Sequence, residues 1–320
     1  MICLGFEGTA HTFSASVVTA KGKILSDVRD MYVSKDGGII PSELARHHKN
    51  VKDRVIQEAI EKSKQKKFDL ISYSRGPGFP SALSITMKAA QELSKGLNVP
   101  ILGVNHCIGH LASADLFTKA KDPVYVYVSG ANTQIIALEG KRYRIFGETM
   151  DTALGNALDK FGRVIGLGFP AGPKIEELAK KGKYIELPYI VKGMDLSYSG
   201  IVTKVEELYK KGASKEDLCY SMQETGFSML VEVTERAMAH CNKNECVLIG
   251  GVAANKRLVK MLEKMCKARG ARFYSVPIKY AGDNASFIAW EGLKEYKANI
   301  REEKSEIRPY ERTDEVEVRW

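Results

Sequence analysis

Hydrophobic and polar positions along the chain set out one order of elements twice. Residues 2–6 form a short apolar run. The polar stretch Glu7-Gly-Thr-Ala-His11 follows, and an alternating run then reaches Val18, ahead of a turn at Lys21-Gly22-Lys23 and a further strand through Leu25. The order returns at 124–128, which is apolar and rich in valine. After it come a turn of small and polar residues, Ser129-Gly-Ala-Asn-Thr133, an apolar run at 134–138, and Gly140-Lys141 turning into 143–146. Behind the first β unit the pattern predicts a helix at 51–63, a strand at 70–74, a helix at 82–97 and a strand at 101–104. Behind the second it predicts helices at 174–181 and 221–240, a strand at 246–249, a helix at 255–269, a strand at 272–276 and a helix at 285–296.

Strands alternating with helices argue for an α/β protein. Two βββαβα halves around a central nucleotide cleft are the architecture of the actin, sugar-kinase and Hsp70-type ATPases. On this reading the first lobe covers 1–122 and the second 123–296, with a polar, helix-rich insertion at about 150–220; the segment from about 297 to 320 packs back on the first lobe. A glycine in each early turn lets backbone N–H groups crowd around a phosphate without a Cβ in the way. Either turn alone reads equally as a plain hairpin, and their repetition at matching places favours the phosphate reading.

At 320 residues the chain is long enough for two domains, and 44% hydrophobic with 27% charged residues excludes a disordered or collagen-like chain. The net charge of +9 favours acidic partners such as nucleic acid or phosphorylated ligands. No apolar stretch reaches the ~20 residues a bilayer needs, and the first residues do not read as a secretory signal. Six cysteines are scattered without a CxxC pair, as reduced thiols of a cytoplasmic protein would be. Cys241 and Cys246 beside His240 form one cluster, but a zinc site there lacks two further ligands.

The chemistry concentrates elsewhere. His106 and His110 follow the strand at 101–104, and an i, i+4 pair on a helix turns both imidazoles to one side, which is metal-ligand spacing. A zincin would need a glutamate directly after the first histidine, where this chain has Cys107, so a metalloprotease reading fails. Asp283, in Ala281-Gly-Asp-Asn-Ala285 after the strand at 272–276, reads either as a helix cap or as an anionic ligand. Gly250-Gly-Val-Ala-Ala-Asn255 follows another strand and opens a helix, so Asn255 and the adjacent backbone are candidates to line a nucleoside site. Gly166-Leu-Gly-Phe-Pro-Ala-Gly-Pro173 supplies a tight loop from which Glu176 emerges on the next helix.

The motifs Asn105-His106 with His110, Tyr127-Val-Ser-Gly-Ala-Asn-Thr133, Ala157-Leu-Asp-Lys-Phe-Gly-Arg163, Gly168-Phe-Pro-Ala-Gly-Pro173, Ser197-Tyr-Ser-Gly200, Gln223-Glu-Thr225, Gly250-Gly-Val-Ala-Ala-Asn255 and Gly282-Asp-Asn-Ala285 together resemble the tRNA N6-adenosine threonylcarbamoyltransferase family, the TsaD-like proteins that form the catalytic subunit of the KEOPS complex. The ending Arg312-Thr-Asp-Glu-Val-Glu-Val-Arg-Trp320 resembles the archaeal and eukaryotic branch. The resemblance implies an actin-like ATPase fold and transfer of threonylcarbamoyl from threonylcarbamoyl-adenylate to N6 of the adenosine beside the anticodon, in tRNAs reading codons that begin with A. It also implies one divalent metal ion per subunit, iron or zinc, on His106, His110, Tyr127 and Asp283, with ATP or the adenylate intermediate against Tyr127, Val128, Ser129, Gly130, Ala131, Asp159, Gly172, Glu176 and Asn255. Ala131 and Ala171 replace glycines of the family pattern, so the two loops keep their path only if both residues have negative φ.

Implied partners are tRNA, a threonylcarbamoyl-adenylate synthase that supplies the substrate, and KEOPS subunits that include a small regulatory kinase or ATPase and a small dimerisation subunit. No membrane is implied. Glu7 and His11 are candidate proton acceptors or, equally, a hairpin residue and a solvated imidazole. The basic runs at 62–67 and 180–183, and the series Lys256, Arg257, Lys260, Lys264, Lys267 and Arg269, read as tRNA phosphate contacts or as solvated helix faces. A nucleotide-dependent chaperone or switch of the same fold is the alternative function, and it leaves the paired histidines without a role.

Overall fold

The computed structural model describes residues 1–33, 38–302 and 304–320. The chain divides into two compact units, Met1–Leu116 with Gly140–Tyr143 and Asp283–Trp320, and Phe117–Glu139 with Arg144–Gly282.

In the first unit β1 (Ile2–Glu7), β2 (Thr12–Thr19), β3 (Ile24–Met31), β4 (Leu70–Gly76) and β5 (Ile101–Asn105) form one sheet in the order β3-β2-β1-β4-β5. The hairpin pairs β1/β2 and β2/β3 are antiparallel, and β1/β4 and β4/β5 are parallel. Helices α1 (Pro41–Ser63), α2 (Pro80–Leu97) and α3 (His106–Phe117) follow β3, β4 and β5. Both faces of the sheet are covered, which is why β1 reads as a continuous apolar run. Leu4 and Phe6 join Val55, Ala59 and Ala90 of α1 and α2 on one face, whereas Cys3 packs with Leu70, Leu102, Ala289 and Leu293 on the other. Side chains along a strand alternate, so Gly5 and Glu7 share the face of Cys3. Gly5 is needed there: a Cβ would stand 2.7 Å from Ala285 O and Ala289 N, so the helix Ala285–Lys297 lies directly on the strand backbone.

That helix corrects the expected lobe boundary. Its place in the chain, directly after the strand at 272–276, assigned it to a second lobe of 123–296; its apolar residues instead fill the open face of the first sheet. Helix α1 also begins ten residues before the expected start, because the stretch Pro41–Asn50 is polar and buries only Leu44 and His48.

The second unit repeats the plan. β6 (Val124–Val128), β7 (Thr133–Glu139), β8 (Arg142–Glu148), β11 (Glu245–Ile249) and β12 (Arg272–Ser275) lie in the order β12-β11-β6-β7-β8, and β9 (Val191–Lys192) pairs with β10 (Asp195–Leu196) in a separate hairpin. The helices are α4 (Leu154–Val164), α5 (Gly172–Ala179), α6 (Ser199–Lys210), α7 (Lys215–His240), α8 (Lys256–Ala268) and the short α9 (Ile278–Ala281), which leaves Ala285–Lys297 as α10. One core joins Val124, Val126 and Val128 to Leu154 and Phe161 of α4, Phe227 and Leu230 of α7, and Leu258 of α8. Helices α4 to α6 and the small hairpin lie in this unit. Two five-stranded sheets of matching strand order make this the actin-like, duplicated α/β fold.

Candidate metal centre and phosphate loop

In the first unit, β5 ends on Asn105 and α3 starts at His106 with no linker between them. The Asn105 side chain accepts the amides of Cys107 at 2.9 Å and Ile108 at 3.1 Å and so caps the helix. Both histidines are buried, their rings edge to face with centroids 4.6 Å apart, and His110 lies against Phe287 at 4.2 Å. Asp283 completes the group: His110 Nε2 is 3.2 Å and His106 Nε2 3.7 Å from Asp283 Oδ1. One ligand atom from each of the three lies within 4.8 Å of the other two. Donors bound about 2.1 Å from a single ion stand about 3 to 4 Å from one another, so two imidazole nitrogens and a carboxylate oxygen at these separations fit a divalent metal. Among the described residues this is the one such group, and the cluster of His240, Cys241 and Cys246 is not another.

Glu7 takes a place that the sequence did not indicate. It is fully buried on the β1 face shared with Cys3 and Gly5, and its Oε2 is 3.0 Å from His106 Nδ1. Its Oε1 accepts from the Thr9 amide at 2.8 Å and the Thr9 hydroxyl at 2.6 Å. A carboxylate only accepts, so Nδ1 carries a proton and Nε2 is the nitrogen turned toward Asp283. Burial pulls His106 down, but Glu7 and Asp283 outweigh it and lift the free imidazole to about 9. Burial lowers His110, while the two histidines hold the Asp283 carboxyl far below its ordinary range against its own desolvation. His11 stands at the edge, a third exposed, with Nδ1 3.9 Å from Asp283 Oδ2.

The remaining candidates lie in the second unit. Tyr127 is buried on β6, and Asn132 Nδ2 donates to its hydroxyl at 3.3 Å. In the loop that follows, the Ser129 amide donates to Asn132 O at 2.8 Å. Gly130 and Ala131 are exposed, and their amides have no protein acceptor among the described residues. The loop rests on the start of α4: the Leu154 amide donates to Thr133 Oγ1 at 2.8 Å, and the Asn156 amide to Gly130 O at 3.2 Å. Neither replacement of glycine strains its loop, because Ala171 has φ −89° and the described non-glycine residues of positive φ are Lys64, Asn98, Asn242 and Asn299.

Asp159 Oδ1 accepts the Ala171 amide at 2.8 Å and so ties the loop that ends at Gly172 back onto α4. Glu176 Oε1 accepts the Lys256 amide at 2.9 Å. Asn255 caps α8 through Oδ1, and its Nδ2 donates to Gln223 Oε1 at 2.7 Å, so in this structure it holds a helix end rather than standing open. The motif Ser197-Tyr-Ser-Gly200 has a partner that sequence reading passed over: Asp151 accepts from the Ser197 hydroxyl and from the amides of Tyr198 and Ser199. Of the basic series on α8, Arg257 pairs with Glu224 and Arg269 with Glu235, while Lys256, Lys260, Lys264 and Lys267 are exposed. None of the six cysteines is in a disulfide, and no helix of the described residues is long and apolar enough to cross a membrane.

Residues 23–290 match the family model described as tRNA N6-adenosine threonylcarbamoyltransferase. Proteins of that name from Thermococcus sibiricus and Archaeoglobus fulgidus are 51% and 49% identical, over the full length of both chains. A probable bifunctional tRNA threonylcarbamoyladenosine biosynthesis protein of Methanocaldococcus jannaschii is 49% identical across the whole of this chain, which spans 60% of that relative. Among solved structures, HypF of Thermococcus kodakarensis superposes with a TM-score of 0.65 at 18% identity, over 92% of this chain and 48% of that one. Component A of the (R)-2-hydroxyglutaryl-CoA dehydratase of Acidaminococcus fermentans does so with 0.58 at 14% identity, over 93% of this chain and 99% of that one. These two likenesses concern the fold.

Proposed function

This chain belongs to the tRNA N6-adenosine threonylcarbamoyltransferase family, and from that premise we propose how its residues divide the work. The reaction is formation of threonylcarbamoyladenosine in tRNA: the threonylcarbamoyl group passes to N6 of the adenosine beside the anticodon, in tRNAs reading codons that begin with A. The donor on this reading is threonylcarbamoyl-adenylate, made by a separate synthase.

The observation that carries the site assignment is the buried group His106, His110 and Asp283. These residues would hold one divalent ion, iron or zinc by donor type, which supplies Lewis-acid polarisation of the carbonyl under attack. Glu7, locked by two bonds from Thr9, keeps His106 in the tautomer whose Nε2 faces Asp283. The amides of the exposed residues Gly130 and Ala131 are the donors we assign to phosphate, of ATP or of the adenylate. Among the described residues, Glu7 is bonded on both oxygens, which leaves His11 as the partly exposed acceptor for a departing proton. The exocyclic amine of adenine is a weak nucleophile, so holding the base in line with the carbonyl carries most of the rate. The exposed lysines of α8 are assigned to tRNA phosphates. The remaining partners we assign are the regulatory kinase or ATPase and the dimerisation subunit of the KEOPS complex.

The test is transfer of radiolabelled threonine into tRNA by the full chain with a synthase and the small partner subunits. Wild type should label tRNA, and the folded variant carrying both His106→Ala and His110→Ala should not. Equal labelling by the two would remove the metal centre from the reaction.

A further inference from the structure

Asn105, the cap of α3, is a fully buried carboxamide with a different task for each polar atom. Its Oδ1 must face the amides of Cys107 and Ile108, at 2.9 and 3.1 Å. Turned over, it would aim an NH2 at two N–H groups, donor against donor. The other side agrees with this orientation: Nδ2 donates to Glu311 Oε2 at 2.9 Å and, more weakly, to the Glu311 carbonyl oxygen at 3.5 Å. A carboxylate has only acceptors to offer, so it admits Nδ2 and repels Oδ1.

Glu311 is itself held. Arg75 on β4 donates to its two oxygens from Nε and Nη2, each at 3.0 Å, and from Nη1 to Gly103 O on β5 at 3.1 Å. Arg308 Nη1 adds a bond to Glu311 Oε1 at 2.8 Å. Burial alone would raise the Glu311 carboxyl, yet Arg75, Arg308 and Asn105 keep it below its ordinary range and ionised. The segment around it is seated on backbone: the Arg308 amide donates to Arg75 O at 2.7 Å, and the Gly78 amide to Pro309 O at 3.1 Å. At Gly76 a Cβ would fall 1.9 Å from Arg308 O, so only glycine leaves room for this crossing.

We propose that Glu311 is a positioning residue for the metal centre: by fixing the face of Asn105 it sets the first turn of α3, and with it the directions of His106 Nε2 and His110 Nε2. The proposal rests on the assignment of those histidines as metal ligands. Groups that orient ligands from behind typically change metal affinity by about 10- to 100-fold when removed. Glu302 provides the contrast, because it ties the same segment to β5 and β4, through the Gly103 amide at 2.8 Å and the Tyr73 hydroxyl at 3.2 Å, and makes no bond to Asn105.

The experiment titrates Co2+, as probe metal, into the full-length chain, reading affinity and the visible ligand-field spectrum alongside thermal unfolding. Glu311→Ala should weaken Co2+ binding about tenfold and alter the spectrum. Glu311→Gln, which offers one acceptor where the carboxylate offers two, should fall between it and wild type. Glu302→Gln should lower the unfolding temperature without changing either metal readout. Equal loss of affinity in Glu302→Gln would reduce Glu311 to a general fastener of the segment, and unchanged affinity in Glu311→Gln and Glu311→Ala would also overturn the proposal. If Co2+ binds equally to wild type and to the variant lacking His106 and His110, the ligand assignment itself fails, and the proposal with it.

Discussion

Replacing Glu7 by glutamine is the smallest change that reaches the candidate metal centre without touching a proposed ligand. The side chain keeps its shape, and its carbonyl oxygen can still accept both bonds from Thr9, at 2.8 and 2.6 Å. The other carboxylate oxygen, 3.0 Å from His106 Nδ1, becomes an NH2. A donor there forces Nδ1 to accept, so the single proton of the neutral ring moves to Nε2, the nitrogen that must offer its lone pair to an ion beside Asp283. Metal binding must then reverse the tautomer or break the bond to residue 7. Loss of such a partner costs about 10- to 100-fold in affinity, or about 1.4 to 2.7 kcal/mol. Overall stability should change by no more than about 2 kcal/mol, because only one buried bond is altered. Co2+ titration with zinc competition measures the first quantity and urea unfolding the second. Glu7→Gln binding metal as tightly as wild type would refute the tautomer argument, whatever the activity.

Two further perturbations test the frame around the site. Burial lifts the Glu295 carboxyl from 4.5 to about 7, with Arg75 opposing and Glu311 and Glu302 assisting. The folded chain therefore keeps a proton that the unfolded chain releases: stability falls as pH rises from 4.5 to about 7, and the deficit of about 3 kcal/mol persists above that. Glu295→Gln should exceed wild type in urea resistance by more at pH 8 than at pH 5, and a gap that does not grow with pH would contradict this. At Gly5, alanine would set a methyl carbon 2.7 Å from Ala285 O and Ala289 N, backbone atoms that yield only if α10 moves. Gly5→Ala should cost about 1 to 3 kcal/mol in thermal unfolding, and an unchanged transition would mean that the helix is not seated as described.

Duplication was legible because it is written in runs that need no partner to be seen: β6 occupies residues 124–128 as the valine-rich stretch suggested, and β11 and β12 begin within one residue of the expected starts. His106 and His110 declared themselves by helical spacing alone. Asp283 read equally well as a cap, and its place beside them depends on α10 returning to the first sheet. Glu7 shows the limit most clearly. Strand periodicity puts it on one face with Cys3 and Gly5, but which helices cover that face is decided by α3 and by α10, which starts 278 residues further on. Glu311 lies 206 residues from Asn105, and nothing in its neighbourhood of charged residues distinguishes it from Glu306 or Glu315. Asn255 was readable as a candidate nucleoside contact; the structure adds that it caps α8 through the amides of Arg257 and Leu258 and bonds Gln223.

The first unit is assembled from distant parts of the chain, Met1–Leu116 and Asp283–Trp320 with a short piece between them in sequence. During synthesis its five strands are complete long before the helix that covers one of their faces exists. Cys3, Val18, Leu70 and Leu102 must wait for Ala289 and Leu293 while about 190 residues are added, roughly 10 to 40 s at ordinary elongation rates. The second unit, whose main segments run without such a gap, can close on the ribosome first. The nascent first sheet is thus the part of this protein most exposed to holdase chaperones and to aggregation, and the centre containing His106, His110 and Asp283 is among the last features to form.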